Sequence, residues 1–175
     1  MFGLGKKTEM IDAAQSLPGR DMAMLVPEKH FILGSQMVAP WPEGMEVIIA
    51  GMGCFWGAER KFWNATGVYS TQVGYAGGFT PNPSYEEVCG GNSNHAEVVS
   101  LDFDQSLVKY ETLVRIFYDL HDPTTLNQQG PDRGTQYRSI IVYNNDEQKE
   151  IASAVTQELN ESKFNNQITT TLEPL

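Results

Sequence analysis

The sequence predicts an α+β two-layer sandwich: a small mixed sheet with helices packed on it. Three observations lead there. Segments with a period of two, such as His95 to Asp104, alternate with segments of helical spacing, such as Leu107 to His121. Glycine and proline clusters separate them. The chain has 175 residues, enough for one domain with a real core and too few for two ordinary ones, so the few elements must share one sheet.

Residues 1–44 carry Pro18, Pro27, Pro40 and Pro42 with little periodicity and read as an irregular N-terminal arm free to wrap the domain. The catalytic domain, 45–175, begins with a strand at Met45 to Met52, followed by a helix from about Phe55 to Asn64. Val68 to Ala76 reads as a second strand ending at Gly77-Gly78, and Pro83 to Cys89 as a short helix with Ser84 as candidate cap. His95 to Asp104 is a strand with His95, Glu97, Val99, Leu101 and Phe103 on its more apolar face. In Leu107 to His121, Tyr110, Leu113, Val114, Phe117 and Leu120 recur at helical spacing, and Asp122-Pro123 stops the helix. A long polar loop from Pro123 to Gln136 leads to a strand at Tyr137 to Tyr143. Asn145 with Gln148 resembles a capping box opening a helix to about Ser162, and Gln167 to Leu172 fits one more strand.

Composition narrows the function classes. Hydrophobic residues make up 41% and aromatics 10%, which fits a globular chain rather than a disordered one. Two cysteines cannot form a disulfide framework and fit a reducing, cytoplasmic setting. Met1 to Arg20 lacks the apolar stretch of a signal peptide, and no run approaches a membrane span. The net charge of -10 counts against nucleic-acid and membrane partners. His30, His95 and His121 with two scattered cysteines show no metal-ligand spacing, so no metal and no bound cofactor are expected.

Two residues carry chemistry. Cys54 lies in Gly51-Met52-Gly53-Cys54-Phe55-Trp56-Gly57, between a strand and a helix. A thiol at a helix N-terminus meets unpaired N–H groups and the positive end of the macrodipole, which favour the thiolate nucleophile; the competing reading is a small buried hydrophobe. Glu97 shares its strand face with apolar residues. Burial there would raise its pKa and let it donate a proton, whereas a place at the exposed strand start would leave it merely solvated. Together they would make a nucleophile and a general acid. Phe55, Trp56, Tyr85 and Tyr137 crowd the same segments, with core packing as the plain explanation of each. The long loop adds Asp132. Gly74-Tyr75-Ala76-Gly77-Gly78 lacks the context of a nucleotide loop and reads as a turn.

Taken together, Gly53-Cys54-Phe55-Trp56-Gly57, Gly74-Tyr75-Ala76-Gly77-Gly78, Pro83-Ser84-Tyr85, the run Gly91 to Glu97 and the run Asp132 to Ser139 closely resemble the A-type peptide methionine sulfoxide reductases. The resemblance runs from about Leu17 to Leu175. It implies a two-layer sandwich with a ferredoxin-like core and reduction of the S epimer of methionine sulfoxide, free or in oxidised proteins. By position Cys54 matches the nucleophile and Glu97 the acid. Phe55 and Trp56 match the pocket for the substrate methyl, Tyr85 and Tyr137 the hydroxyls near the sulfoxide oxygen, and Asp132 the loop carboxylate. Attack by Cys54 would leave a sulfenic acid, to be reduced by a second thiol with thioredoxin or another external thiol as reductant.

The family usually continues past the position of Leu175 into a tail with resolving cysteines, so the domain is expected to be C-terminally truncated relative to the family. Cys89 is the other thiol, away from the usual resolving position, and reads as structural. The alternatives are a methionine-peptide binding module or inactive fragment, and a cysteine–histidine hydrolase with His95 as base.

Overall fold

The computed structural model describes residues 6–175; the first five residues of the arm lie outside the described residues. Among the described residues seven strands and four helices follow in chain order: β1 (Met45–Met52), α1 (Phe55–Phe62), β2 (Val68–Ala76), α2 (Tyr85–Cys89), β3 (Ala96–Asp104), α3 (Tyr110–Leu120), β4 (Gln128–Gln129), β5 (Asp132–Arg133), β6 (Ser139–Tyr143), α4 (Asp146–Ser162) and β7 (Thr171–Pro174). The main sheet has the order β2-β3-β1-β6-β7. β1 runs antiparallel to both β3 and β6, β2 is antiparallel to β3, and β7 is parallel to β6. The β1-α1-β2 and β3-α3-β6 units interlock so that each inserts a strand between the other's pair. This is the expected ferredoxin-like core.

Helices α1, α3 and α4 pack on one face of the sheet. Val99, Leu101 and Phe103 from β3 and Ile48 from β1 meet Phe62, Leu113, Val114, Phe117, Ala152 and Val155 there. The opposite face carries a smaller cluster of Ala96, Val98, Ile140 and Val142. Both faces of the central strands are therefore buried, which is why β3 and β6 carry apolar side chains on either side of the alternation.

Local sequence explains most boundaries. Ser84 accepts from the Glu87 N–H while the Glu87 carboxylate takes the Ser84 N–H, closing a capping box on α2. Asn145 accepts from the Gln148 N–H at 2.8 Å, but the Gln148 side chain turns instead to the Asn144 N–H and the Val47 carbonyl, tying α4 to β1. Helix α3 starts at Tyr110 rather than Leu107 because Asp104 accepts from the N–H and hydroxyl of Ser106, and Leu107 and Val108 complete that turn. The final strand lies at Thr171–Pro174, later than the expected Gln167 to Leu172, where parallel pairing to β6 is available. Among the described residues no helix is long and apolar enough to cross a membrane.

Within 6–44 the regular elements are two 3-10 turns, at Lys6–Thr8 and Ala13–Gln15, and an isolated bridge between Lys29 and Gln36. Side chains of the domain hold this arm. Asn94 accepts from the Ile11 N–H and donates to its carbonyl, and Asn127 donates to the Thr8 carbonyl. Gln72 donates to the Met37 carbonyl.

Candidate active site

Gly53 makes the strand-to-helix turn possible. Its φ of +98° is a conformation open to glycine, and a Cβ there would stand 2.7 Å from the Gln129 side chain. Cys54 follows as the N-terminal flanking residue of α1, half-buried. Gly51 permits the close approach of the end of β1 to the start of β3, since a Cβ would lie 2.8 Å from the Glu97 carbonyl. The thiol is thus brought to the end of β3 where Glu97 sits.

Glu97 is 2% exposed. Its Oε2 accepts the Phe55 N–H at 3.0 Å, one of the donors that the start of α1 leaves free. Burial pushes its carboxyl above the usual range, while the hydrogen bonds from Phe55 and Cys54 pull it back and the Asp132 charge adds to the rise. The expectation of an ionised thiol meets a different balance. Burial holds the Cys54 thiol up, the negative Glu97 and Asp132 add to that, and only the Trp56 N–H acts in the opposite sense. Burial and the two charges raise the cost of ionising the thiol, and a hydrogen bond from it to Glu97 acts in the same sense.

Phenols surround this pair. Tyr137 is pushed up to about 12 by burial and by the Glu97 charge, with contributions from Asp132 and Cys54. Tyr137 sits not on β6 but on the 3-10 turn Thr135–Tyr137 before it, which turns its ring toward the site. Tyr85, exposed on α2, is raised first by its hydrogen bond to Cys89 and also by Glu97 and Cys54. Asp132 lies on β5 of the small hairpin inside the long loop. Cys54, Glu97, Asp132, Tyr85 and Tyr137 therefore come together from five segments. Phe55 joins them through its N–H, and Trp56, 67% exposed, offers its own backbone N–H to Cys54.

Tyr75 belongs to the same group and was missed by sequence reasoning, which took its glycine-rich surroundings for a turn. It pairs directly with Glu97 across β2 and β3, its ring is 5.7 Å from that of Phe55, and burial with the Glu97 charge pushes it up to about 12. Pairing β2 with β3 in register was the signal that could have found it. Cys89, read as structural, closes α2 with its sulfur hydrogen-bonded to Tyr85. His95 gives Nε2 to the Thr80 carbonyl at 2.7 Å and is held down by burial, the state of a loop anchor rather than of a base for Cys54. Arg138, 3% exposed, binds the carbonyls of Asn94, Thr135 and Gly77 and so fastens three loops around the site.

A half-buried thiol facing a buried carboxyl, ringed by neutral phenols on a ferredoxin-like sandwich, defines a two-layer α+β protein with a thiol–carboxyl site. A family model described as peptide methionine sulfoxide reductase matches residues 46–175, and the chain belongs to that family. It is similar to the peptide methionine sulfoxide reductase MsrA of Salinispora arenicola, 53% identical over 154 residues that cover 88% of this chain and 70% of the relative. Methionine sulfoxide reductase A of Corynebacterium diphtheriae matches with a TM-score of 0.82 at 37% identity, over 94% of this chain and 80% of that one. Mxr1 from Saccharomyces cerevisiae in complex with Trx2 matches with a TM-score of 0.58 at 26% identity, over 81% and 84%.

Proposed function

We propose that this oxidoreductase reduces methionine S-sulfoxide to methionine, free or within oxidised proteins, with Cys54 as nucleophile and Glu97 as the group that moves the proton. The observation that carries the reading is the 3.0 Å bond from the Phe55 N–H to Glu97 Oε2, which fixes a buried carboxyl beside the thiol. A sulfoxide sulfur becomes electrophilic as its oxygen is protonated, so the nucleophile needs an acid within reach. Here the thiol proton itself meets that need. It passes by way of Glu97 to the sulfoxide oxygen as the Cys54 sulfur attacks the substrate sulfur. The oxygen then transfers to Cys54, methionine leaves as the sulfide, and the thiol becomes a sulfenic acid. The substrate gains two electrons, Cys54 loses two, and the proton ends on the sulfenic oxygen.

The remaining roles follow from position. Burial first and the Glu97 charge second disfavour the phenolates of Tyr75 and Tyr137, and the Cys89 hydrogen bond does so for Tyr85, which leaves O–H donors for the sulfoxide oxygen. Phe55 and Trp56 offer apolar surface to the substrate methyl, and Asp132 adds negative potential that keeps a proton on the pair. A second thiol condenses with the sulfenic acid, releasing water and forming a disulfide that a thioredoxin-type reductant opens. The likeness to Mxr1 in complex with Trx2 supports that partner. Two free thiols fit a reducing, cytoplasmic compartment.

Mixing the reduced protein with one equivalent of a methyl sulfoxide, without reductant, tests the reading. Loss of one thiol with release of one sulfide is expected, and Cys54→Ser should lose none. An intact Cys54 thiol after prolonged incubation would overturn it in favour of a methionine-peptide binding module.

A further inference from the structure

The arm does more than cover the domain. Between its residues 24–37, helix α1 and strand β2 lies a groove of about 780 Å³, within the range of a ligand site. Its rim is apolar and open to water: Leu25 is 99% exposed and Phe31 98%, with Met24, Ile32 and Val73 also at the surface. A contiguous apolar rim on a chain of net charge -10 is not the residue of a loose segment. The loop is anchored. Buried His30 accepts the N–H groups of Ile32 and Leu33 on Nδ1, and its Nε2 donates to Thr71 Oγ1, which donates in turn to Glu59. Backbone bonds of His30 with Ser35 and of Met37 with Glu28 brace the two sides of the loop. Phe31 and Ile32 are held in water by a buried polar chain beneath them.

The floor is the edge of the sheet. Among the described residues β2 pairs with β3 on one side and has no strand neighbour on the other. Among the described residues the arm meets β2 through side chains, by Tyr69, Thr71 and Gln72, rather than through the backbone ladder. An added Cβ at Gly74 meets nothing within 4 Å, so this stretch is open. An unpaired edge beside apolar walls is suited to an extended peptide. The groove is also continuous with the thiol site. Phe55 and Tyr75, whose rings are 5.7 Å apart, line both.

We propose that this groove binds the polypeptide on one side of an oxidised methionine, taking apolar side chains one or two residues from the sulfoxide. The inference rests on the reading of Cys54 and Glu97 given above. The occupant follows from chemistry. Methionine sits among apolar residues in protein cores, and oxidation makes it polar and loosens that packing, so the damaged segment exposes apolar neighbours together with the sulfoxide. An extended chain advances roughly 3.3 Å per residue, so a neighbour one or two residues from the sulfoxide runs along Phe55 and Tyr75 toward the groove that they line.

The test compares three substrates with dithiothreitol as reductant: free methionine S-sulfoxide, a hexapeptide with the sulfoxide between serine and asparagine, and one with it between leucine and phenylalanine. The apolar peptide should show kcat/KM about tenfold above the polar one. Leu25→Asp with Phe31→Asp should remove that advantage through KM and leave the other two substrates within about twofold, while Phe31→Leu restores it. No preference in the parent protein, an unchanged apolar peptide in the double variant, or equal loss on all three substrates would each overturn the proposal. So would a dimer in sedimentation that the double variant dissolves without altering peptide kinetics, since the occupant would then be a second copy. Should no substrate turn over, the reading of Cys54 fails, and the groove is read by fluorescence anisotropy of a labelled leucine–methionine–phenylalanine peptide on Cys54→Ser. Binding abolished by the double variant supports the groove, and absence of binding overturns it.

Discussion

The Phe55 N–H and Glu97 Oε2 lie 3.0 Å apart, so one bond joins the residue after the thiol to the strand that carries the buried carboxyl. The bond uses a donor that the helix start leaves unpaired, and it places a carboxyl where burial alone would make one costly. Neither residue could be moved without disturbing the other.

Glu97→Ala is expected to slow single-turnover oxidation of Cys54 by about 10²- to 10⁴-fold, the usual loss of a positioned acid. Glu97→Gln should lose distinctly less, because its amide still donates a hydrogen bond to the sulfoxide oxygen. Stopped-flow thiol titration checks both, and equal losses would count against a donor role.

The same pair predicts a bell-shaped pH profile. The reacting form holds one proton between Cys54 and Glu97. Below the Glu97 pKa, raised by burial, the pair binds a second proton and no thiolate can form; above the Cys54 pKa, also raised by burial, it has none to give. Both limbs should lie at higher pH than ordinary carboxyl and thiol groups would place them. In Glu97→Gln the thiol loses the charge that holds it up, so thiolate absorbance should appear at lower pH than in the parent protein. An unshifted titration would refute the coupling.

Tyr75→Phe keeps the ring against Phe55 and removes only the hydroxyl. If that hydroxyl donates to the substrate oxygen, the single-turnover rate should drop by about tenfold, the equivalent of one modest hydrogen bond, with thermal stability unchanged. A full rate would assign Tyr75 to packing alone.

Gly53→Ala forces a side chain onto a backbone at φ +98° and against Gln129, whose amide bonds the Asp122 backbone from both ends. A stability loss of about 1–3 kcal/mol is expected, with a larger proportional loss of activity because Cys54 is the next residue. Urea unfolding and thiol oxidation rates read the two effects separately.

Asp102 is 6% exposed, and its Oδ2 has no hydrogen-bond partner among the described residues; burial pushes it up to about 6 from an ordinary 3.8. A carboxyl raised on folding contributes stability below its unfolded pKa and loses it as pH rises through about 6. At neutral pH its buried charge therefore destabilises the fold. Asp102→Asn should raise stability at pH 7 by up to about 3 kcal/mol and by much less near pH 4. Denaturation at the two pH values decides, and an equal gain at both would exclude the charge as the cause.

Much of the fold was legible because it rests on local signals. The period of two in β3, the helical spacing of Leu113, Val114 and Phe117, the Ser84 cap and the Asn145 cap each act within a few residues, and each marks an element that forms there. The reciprocal half of the Asn145 capping box did not form because Gln148 took a longer-range partner in Val47, and the start of α3 slipped because the Asp104–Ser106 turn came first. In the site, Cys54 and Glu97 stand out by type and place. Tyr75 does not, because its meaning comes from the strand opposite.

The sequence by itself determined the order of elements, the glycine-framed turn before Cys54 and the presence of a carboxylate in an apolar strand face. Period, capping and glycine's free backbone are properties of neighbours in the chain. Only the tertiary structure decided that Glu97 meets the thiol, that burial and Glu97 push the thiol up, that Tyr75 joins them and that the arm shapes a groove along β2. Those follow from burial and from charges brought close by strand pairing, and such fields depend on distance through space rather than along the chain.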